Sequence, residues 1–354
     1  VVTSGTCSST AGKSGFFYVL SSSSIAGYTV SSSALAAVSG SSYNLSGASA
    51  IAIAPSGAFL YVATVGNGIT YYKINSSTGA LTPGTEVVAD SAVQAMQIDP
   101  SGKWLLDANL AGTLTAYPIT STGAQDTTRT LQQLPLASTS VQQMAISSNL
   151  ISVALGGSGT QSFPFNANNN VPIGSAYSPV TKPFGSDGAA IAVAIDSQSH
   201  MYIGETAAFT SNTNSGALRV FTIGTNGTSS LTELTYNAPY APLGTGPHAI
   251  LPDSTGKYVY VASWQTGAAG AITGYTVSTT ALTQIGTGTV ATGTEPYGLA
   301  EDSTGSYVLV VNNQGSSPLD AYTLDSSTAG QLDAASITGS VASTPIAIVA
   351  MPKQ

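Results

Sequence analysis

Short apolar runs alternate with turn residues along almost the whole chain, and the clearest copy of that pattern is residues 247–277, PHAILPDSTGKYVYVASWQTGAAGAITGYTV. An apolar segment at 248–251 runs into a Pro-Asp-Ser-Thr-Gly turn. A β-branched and aromatic strand from Tyr258 to Ala262 comes straight back, and a third, Ile272 to Val277, follows a Gly-rich loop. Residues 50–83 repeat the plan with AIAIAPSG, FLYVAT and GITYYKI, and after the turn N-S-S-T-G they add a fourth short segment, ALTP. A meander of this size cannot bury both faces by itself, so it requires neighbours built the same way.

First strands are predicted near 49–54, 94–99, 142–147, 190–195, 247–252 and 296–301, with starts about 45 to 57 residues apart. Four short strands at that period are the mark of propeller blades. The ends complement each other. Phe16–Leu20 and Ile25–Val30 read as second and third strands lacking a first, while Thr344–Ala350 reads as a first strand with nothing after it. Joining them removes two orphan edges. The expectation is therefore an all-β, seven-bladed propeller of four-stranded antiparallel blades, closed by the C-terminal strand entering the N-terminal blade. A polar leader, 1–15, precedes one domain, 16–354. Blade four is the weakest copy, with SSNLISVAL in place of the Gly turn, and the Asn-rich loop 166–170 reads as a solvated turn.

Composition adds an address. Charged residues are only 7% of the chain, with 8 Lys plus Arg against 16 Asp plus Glu and a formal charge of −8. A phosphate backbone needs clustered Lys or Arg, and Arg129 and Arg219 are the only arginines, so nucleic acid is not expected as a partner. No apolar run is long enough for a transmembrane helix, and no basic, apolar signal segment opens the chain. A Ser/Thr/Gly-rich, weakly charged surface suits a secreted or cell-surface protein whose signal peptide has been removed. Cys7 in the leader reads as an unpaired thiol, and Asn44, Asn75 and Asn226 lie in sequons that permit glycosylation.

In a propeller, the connections before first strands and after second strands reach one face. The entry positions are Ser49, Gln94, Gln142, Ala190 (open by one residue), His248, Tyr297 and Ile346. The second-strand exits add Asn109, Glu205, Trp264, Asn312 and Asn313, with Glu295 just before blade seven. Gln94, Gln142, Tyr297, Asn109, Trp264 and Asn312 form a polar, aromatic mouth able to bind sugar hydroxyls or peptide groups, although the amides can equally hold their own loops. His248 is the candidate general base, with Glu205 or Glu295 to orient it. His200, at the start of a second strand, reads as a surface residue. Asp99, Asp196, Asp253 and Asp302 recur after first strands, where Asp caps a turn, which marks architecture. No metal-ligand spacing, haem attachment or dinucleotide fingerprint is present, so neither metal nor cofactor is expected.

The P-x-G-K-Y-x-Y-V-A-type turns, the Y-x-I-x-x-x-T-G-x-L-type later strands and the stretch GTEPYGLAEDSTGSYVLVVNNQ resemble the seven-bladed propeller family of 6-phosphogluconolactonase-like and muconate-lactonizing enzymes, from about residue 16 to 352. The resemblance implies a channel-mouth set of one His, two Arg and one Glu. Carried over, these positions fall on Gln142, on Ala189 or Ala190, on Tyr297 and on Glu205, so that only the Glu is kept. A phosphorylated or carboxylated lactone needs cationic donors at such a site. Two functions follow as expectations. One is a non-catalytic exported propeller acting in binding or in a surface assembly, with the leader available for self-association. The alternative is a lactone hydrolase acting on an uncharged lactone or sugar through His248.

Overall fold

The computed structural model describes residues 15–88, 90, 92–177, 180, 188–206, 216–224, 230–234, 241–242, 246–264, 269–278, 282–286, 289–341 and 343–353. All of the expected leader but Gly15 lies outside them, as do Cys7 and Asn226. The described strands form an all-β, propeller-like fold of antiparallel sheets. Among the described residues seven meanders follow one another. The first is Pro345–Ala350, Phe16–Ser21, Ser24–Val30 and Leu35–Ala37; the second is Ala48–Ile53, Phe59–Thr64, Gly68–Ile74 and Leu81–Val88. Val93–Ile98, Trp104–Asn109, Thr113–Pro118 and Gln132–Pro135 make the third, and Gln143–Ile146, Leu150–Ala154 and Thr160–Pro164 the fourth. The fifth is Ala190–Ile195, His200–Glu205, Ala217–Ile223 and Leu231–Glu233.

The last two meanders share one sheet. Gly246–Pro252, Tyr258–Trp264, Ala269–Val277 and Leu282–Gln284 make the sixth, and Val290–Glu301, Tyr307–Gln314, Leu319–Leu324 and Leu332–Gly339 the seventh. Their junction is the long strand Val290–Glu301, whose first half pairs with Ala269–Val277 and whose second half begins the next meander. Two expectations are corrected. The fourth meander has three strands among the described residues, continued only by isolated bridges at Phe165–Ile173 and Thr160–Val180. The seventh meander's first strand begins at Val290, ahead of the expected 296.

The second strands read as continuous apolar runs because both faces of each sheet are covered. In Phe59–Thr64, Leu60 and Val62 pack toward the first meander with Tyr18 and Leu20, while Tyr61 and Ala63 pack toward the third with Leu105 and Tyr117. The strand period of two therefore sends alternate residues into two neighbouring seams. Each first strand lies beside the next in chain order, and Pro345–Ala350 lies beside Val290–Glu301 and Ala48–Ile53.

A latch recurs at the seams. The Tyr18 hydroxyl donates to the Gly79 carbonyl at 2.9 Å, Tyr61 to Gly123 at 3.0 Å and Tyr260 to Gly330 at 2.8 Å, each glycine lying in the turn of a neighbouring meander. Burial raises all three hydroxyl pKa values far above the ordinary tyrosine range, so they remain neutral donors. The glycines have positive φ, and a Cβ on Gly79 would stand 2.5 Å from the Phe16 ring. Gly79→Ala is expected to destabilise the protein by about 1–3 kcal/mol, read as a lower denaturation midpoint in urea. Trp104 makes the corresponding reach, its Nε1 donating to the Ala167 carbonyl at 3.0 Å while Lys103 donates to Asn168 at 2.7 Å. The Asn-rich loop is thus a docking element for the third meander as well as a turn.

The recurrent Asp residues cap their turns as their spacing predicts. Asp99 accepts from the backbone N–H of Ser101, Lys103 and Trp104, and Asp253 and Asp302 do the same in their own turns. In the fifth meander the turn has a different filling. Asp196 also holds the His200 ring at 2.8 Å and the Tyr202 hydroxyl at 2.8 Å, which buries His200. His200 is a buried partner of Asp196, against the expectation of a surface residue. Among the described residues no helix is long and apolar enough to cross a membrane.

Candidate functional site

A cavity of about 640 Å3 runs between the first strands, lined in part by Gln94, Gln97, Gln142, Gln143 and Tyr297. The same local device shapes its mouth in six of the seven meanders. Near its start the first strand carries one residue more than its partner: Ser49, Gln94, Ile191, His248, Tyr297 and Ile346 are each passed over in the pairing. A bulge re-aims a side chain and bends its strand, and bulges of this kind gather at barrel rims and sites. The entry positions inferred from spacing coincide with these bulged residues, with the fifth settled at Ile191 and not Ala190. In the fourth meander Gln142 stands just ahead of the strand, its N–H bonded to the Ala154 carbonyl.

Two bulges bring aromatic rings together. The His248 ring stacks on Trp264 with centroids 4.2 Å apart and planes at 21°, and Tyr297 lies 5.8 Å from His248 and 6.4 Å from Trp264. Tyr297 is 41% exposed and lines the cavity, so it connects the cluster with the channel. The Trp264 Nε1–H is buried without a hydrogen-bond partner among the described residues. Burial lowers the His248 pKa to about 4, with the Glu295 charge pulling the other way. The imidazole is therefore neutral through the ordinary pH range, because burial penalises its protonated form.

Glu295 is buried and holds φ at 57°, a left-handed backbone uncommon for a non-glycine residue, while its Oε2 accepts from Gln314 Nε2 at 2.9 Å. Glu205 is spoken for differently. Its Oε1 takes Arg219 Nη1 at 3.0 Å, and Arg219 binds Glu233 through Nε and Nη2 at 2.8 Å. The carboxylate whose charge acts on His248 is thus that of Glu295, and Glu205 belongs to a buried ion-pair network. Asn109 and Asn312 are held by their own meanders. Asn109 donates to Asp90 at 2.8 Å and accepts from Ala111 and Thr113; Asn312 donates to the Ser317 carbonyl and to Asp320, both at 2.7 Å.

The structure thus gathers His248, Trp264 and Tyr297 in one cluster, with the Glu295 charge acting on the imidazole, and places Gln94 and Gln142 with Tyr297 in the cavity wall. Sequence reasoning missed Gln143 and Arg219. Gln143 Nε2 donates to the His248 carbonyl at 2.8 Å and its Oε1 accepts from Val193 N–H at 3.3 Å, so it braces the bulge that carries the histidine. The Gln142-Gln143 doublet was the available signal. Arg219 was visible only as a lone charge alternating with Ala217 and Phe221 on a third strand.

Comparison with known proteins agrees with this fold. A family model described as "Lactonase, 7-bladed beta-propeller" matches residues 19–143. No curated protein matches the sequence. Among solved structures, a putative 6-phosphogluconolactonase from Bacteroides uniformis ATCC 8492 is 16% identical with a TM-score of 0.71, over 96% of this chain and 99% of that one. One from Bacteroides fragilis NCTC 9343 is also 16% identical with a TM-score of 0.71, over 97% and 99%. A functionally unknown protein from Desulfotomaculum acetoxidans DSM 771 is 14% identical with a TM-score of 0.66, over 96% and 100%. The chain is a β-propeller that resembles the 6-phosphogluconolactonase-like lactonase propellers at low sequence identity.

Proposed function

We propose that the chain is a closed seven-bladed propeller whose mouth binds and hydrolyses an uncharged lactone, such as a sugar lactone, with His248 as general base. The carrying observation is the neutral imidazole set in the aromatic cluster with Trp264 and Tyr297, beside a cavity whose mouth is formed by amide, hydroxyl and aromatic groups. In this reading His248 takes a proton from water as the water adds to the lactone carbonyl. The ring C–O bond then breaks, and the alcohol oxygen receives the proton back from the imidazolium. Glu295 stabilises the imidazolium, and the Tyr297 hydroxyl with the amides of Gln94 and Gln142 supplies neutral donors to the carbonyl and ring oxygens. A neutral substrate makes no demand for the cations that the family pattern places at Ala189 or Ala190 and at Tyr297.

A pH-stat assay on neutral aldonolactones, with a 6-phosphorylated lactone as comparison, tests this. Hydrolysis of the neutral compounds is expected, rising as pH passes through about 4 and level above it, because a base works only when deprotonated. His248→Gln is expected to lower kcat/KM by about 100-fold or more. A rate unchanged in that variant overturns the mechanism. Saturable binding without turnover assigns the mouth to a non-catalytic binding propeller.

A further inference from the structure

We propose that the channel below His248 is a specificity pocket for an apolar substituent on the lactone, so that the preferred substrates are uncharged lactones carrying an alkyl or acyl chain. The inference rests on the reading of the mouth as a lactone site and adds the shape of what lies beyond the ring. The cavity wall is not uniform around its circumference. Below the bulges every meander contributes an apolar side chain to it, with Ile250, Leu299 and Ile348 joined by Met96 and Met144, and glutamines are added on the third and fourth meanders, with Gln94 and Gln97 among them.

The arrangement follows from strand geometry. Ile250 stands two residues beyond the bulged His248 and Leu299 two beyond the bulged Tyr297, so the same strands that present the catalytic and aromatic groups carry apolar side chains one layer deeper. Ile250, Leu299 and Ile346 are only half-buried, and they keep apolar surface facing the channel that a ligand chain would cover. The glutamine arc is partly satisfied within the protein. Gln97 Nε2 reaches the Met144 carbonyl at 3.4 Å, and Gln143 is held by His248 and Val193. A chain leaving the lactone ring past Tyr297 therefore meets an apolar layer, with amides added on the third and fourth meanders. The volume of about 640 Å3 is well within the range of small-molecule pockets. A phosphate or carboxylate on the same substituent would meet no cationic side chain in this lining.

The test pairs two homologous series, from unsubstituted to n-octyl: lactones for turnover and the unhydrolysable lactams for equilibrium binding by calorimetry. Lactam affinity is expected to rise about three- to fourfold for each methylene that enters the channel, until the chain passes the apolar wall. Leu299→Gln and Ile250→Gln are expected to flatten that chain-length slope while Leu299→Met keeps it; a general loss of folded protein would scale every member alike and leave the slope intact. A flat series in the wild type, or an undiminished slope in both Gln variants, overturns the proposal. Chain-dependent lactam binding with no lactone turnover keeps the pocket and sinks the hydrolytic reading. Turnover with no dependence on chain length does the reverse.

Discussion

Removal of residues 343–354 is expected to destabilise the whole protein by about 5 kcal/mol or more and to lower its melting temperature by roughly 10 °C or more, rather than trimming a tail. Pro345–Ala350 is the first strand of the meander that holds the chain's N-terminal strands, pairing Phe17 with Ala350, Tyr18 with Val349, Val19 with Ile348 and Leu20 with Ala347. Without it Phe16–Ser21 presents a bare edge of buried backbone groups, each of which then lacks its partner. Side-chain ties go as well: Ser21 Oγ donates to the Ser343 carbonyl at 3.0 Å and Asn313 Nδ2 to the Pro345 carbonyl at 3.1 Å. The strand also fills two seams, with Ile348 packed beside Leu309 and Val311, and Ile346 and Val349 beside Leu60 and Val62. Uncovering even about 200 Å2 of that apolar surface costs on the order of 5 kcal/mol. A melting temperature within a few degrees of the full-length chain, by calorimetry, would show that this strand does not close the fold.

The repeat was legible because one physical requirement writes itself into the sequence several times. A sheet covered on both faces needs apolar runs such as FLYVAT and YVYVAS, and a tight return needs Asp followed by Gly, so the strands and the caps at Asp99, Asp253 and Asp302 could be placed by comparing copies. The mouth was legible in position for the same reason. Counting back from each turn lands on the bulged residues, because the bulge sits at a constant distance from the turn. What could not be read was the partner of each side chain. Glu205 and Glu295 are equivalent candidates in one dimension, and they separate only when Arg219, fourteen residues beyond Glu205, folds back against it. His200 sits where a surface residue is expected, and it is drawn inward by an Asp196 that spacing alone marks as an ordinary turn cap. The fourth meander departs from the plan where its Gly turn is replaced by Ser-Ser-Asn, and its outer strand is the part that the copies failed to specify.

A single buried carboxyl, Asp107, is expected to contribute a stability that declines as pH rises from about 4 to 8. Asp107 lies in the middle of Trp104–Asn109, directly opposite Thr115, fully out of solvent. Burial pushes its pKa up to about 8, the Asp90 charge adds to the rise, and the hydroxyls of Tyr117 and Thr115 pull only weakly against it. Neither carboxyl oxygen has a well-directed hydrogen bond to those hydroxyls or to any other group among the described residues. The native protein therefore keeps a proton at this site that the unfolded chain, with an ordinary Asp value near 3.8, has already released. Where the native state binds more protons than the unfolded one, stability declines with rising pH; this contribution is complete below about 4 and is lost progressively up to about 8. At about 1.4 kcal/mol for each pH unit in that window, the loss by pH 7 is on the order of 4 kcal/mol. His248 has the opposite sign, since its lowered value makes stability rise with pH between about 4 and 6.5, but it acts equally in wild type and variant and cancels in their difference. Asp107→Asn keeps the shape, removes the ionisation and adds a donor toward Thr115 and Tyr117. Urea titrations at pH 4.5, 6 and 7.5 should show a variant whose advantage over wild type grows with pH, reaching a few kcal/mol at the highest. A constant difference across the three would mean that Asp107 is ionised in the native protein and that a neighbour supplies the charge to hold it so.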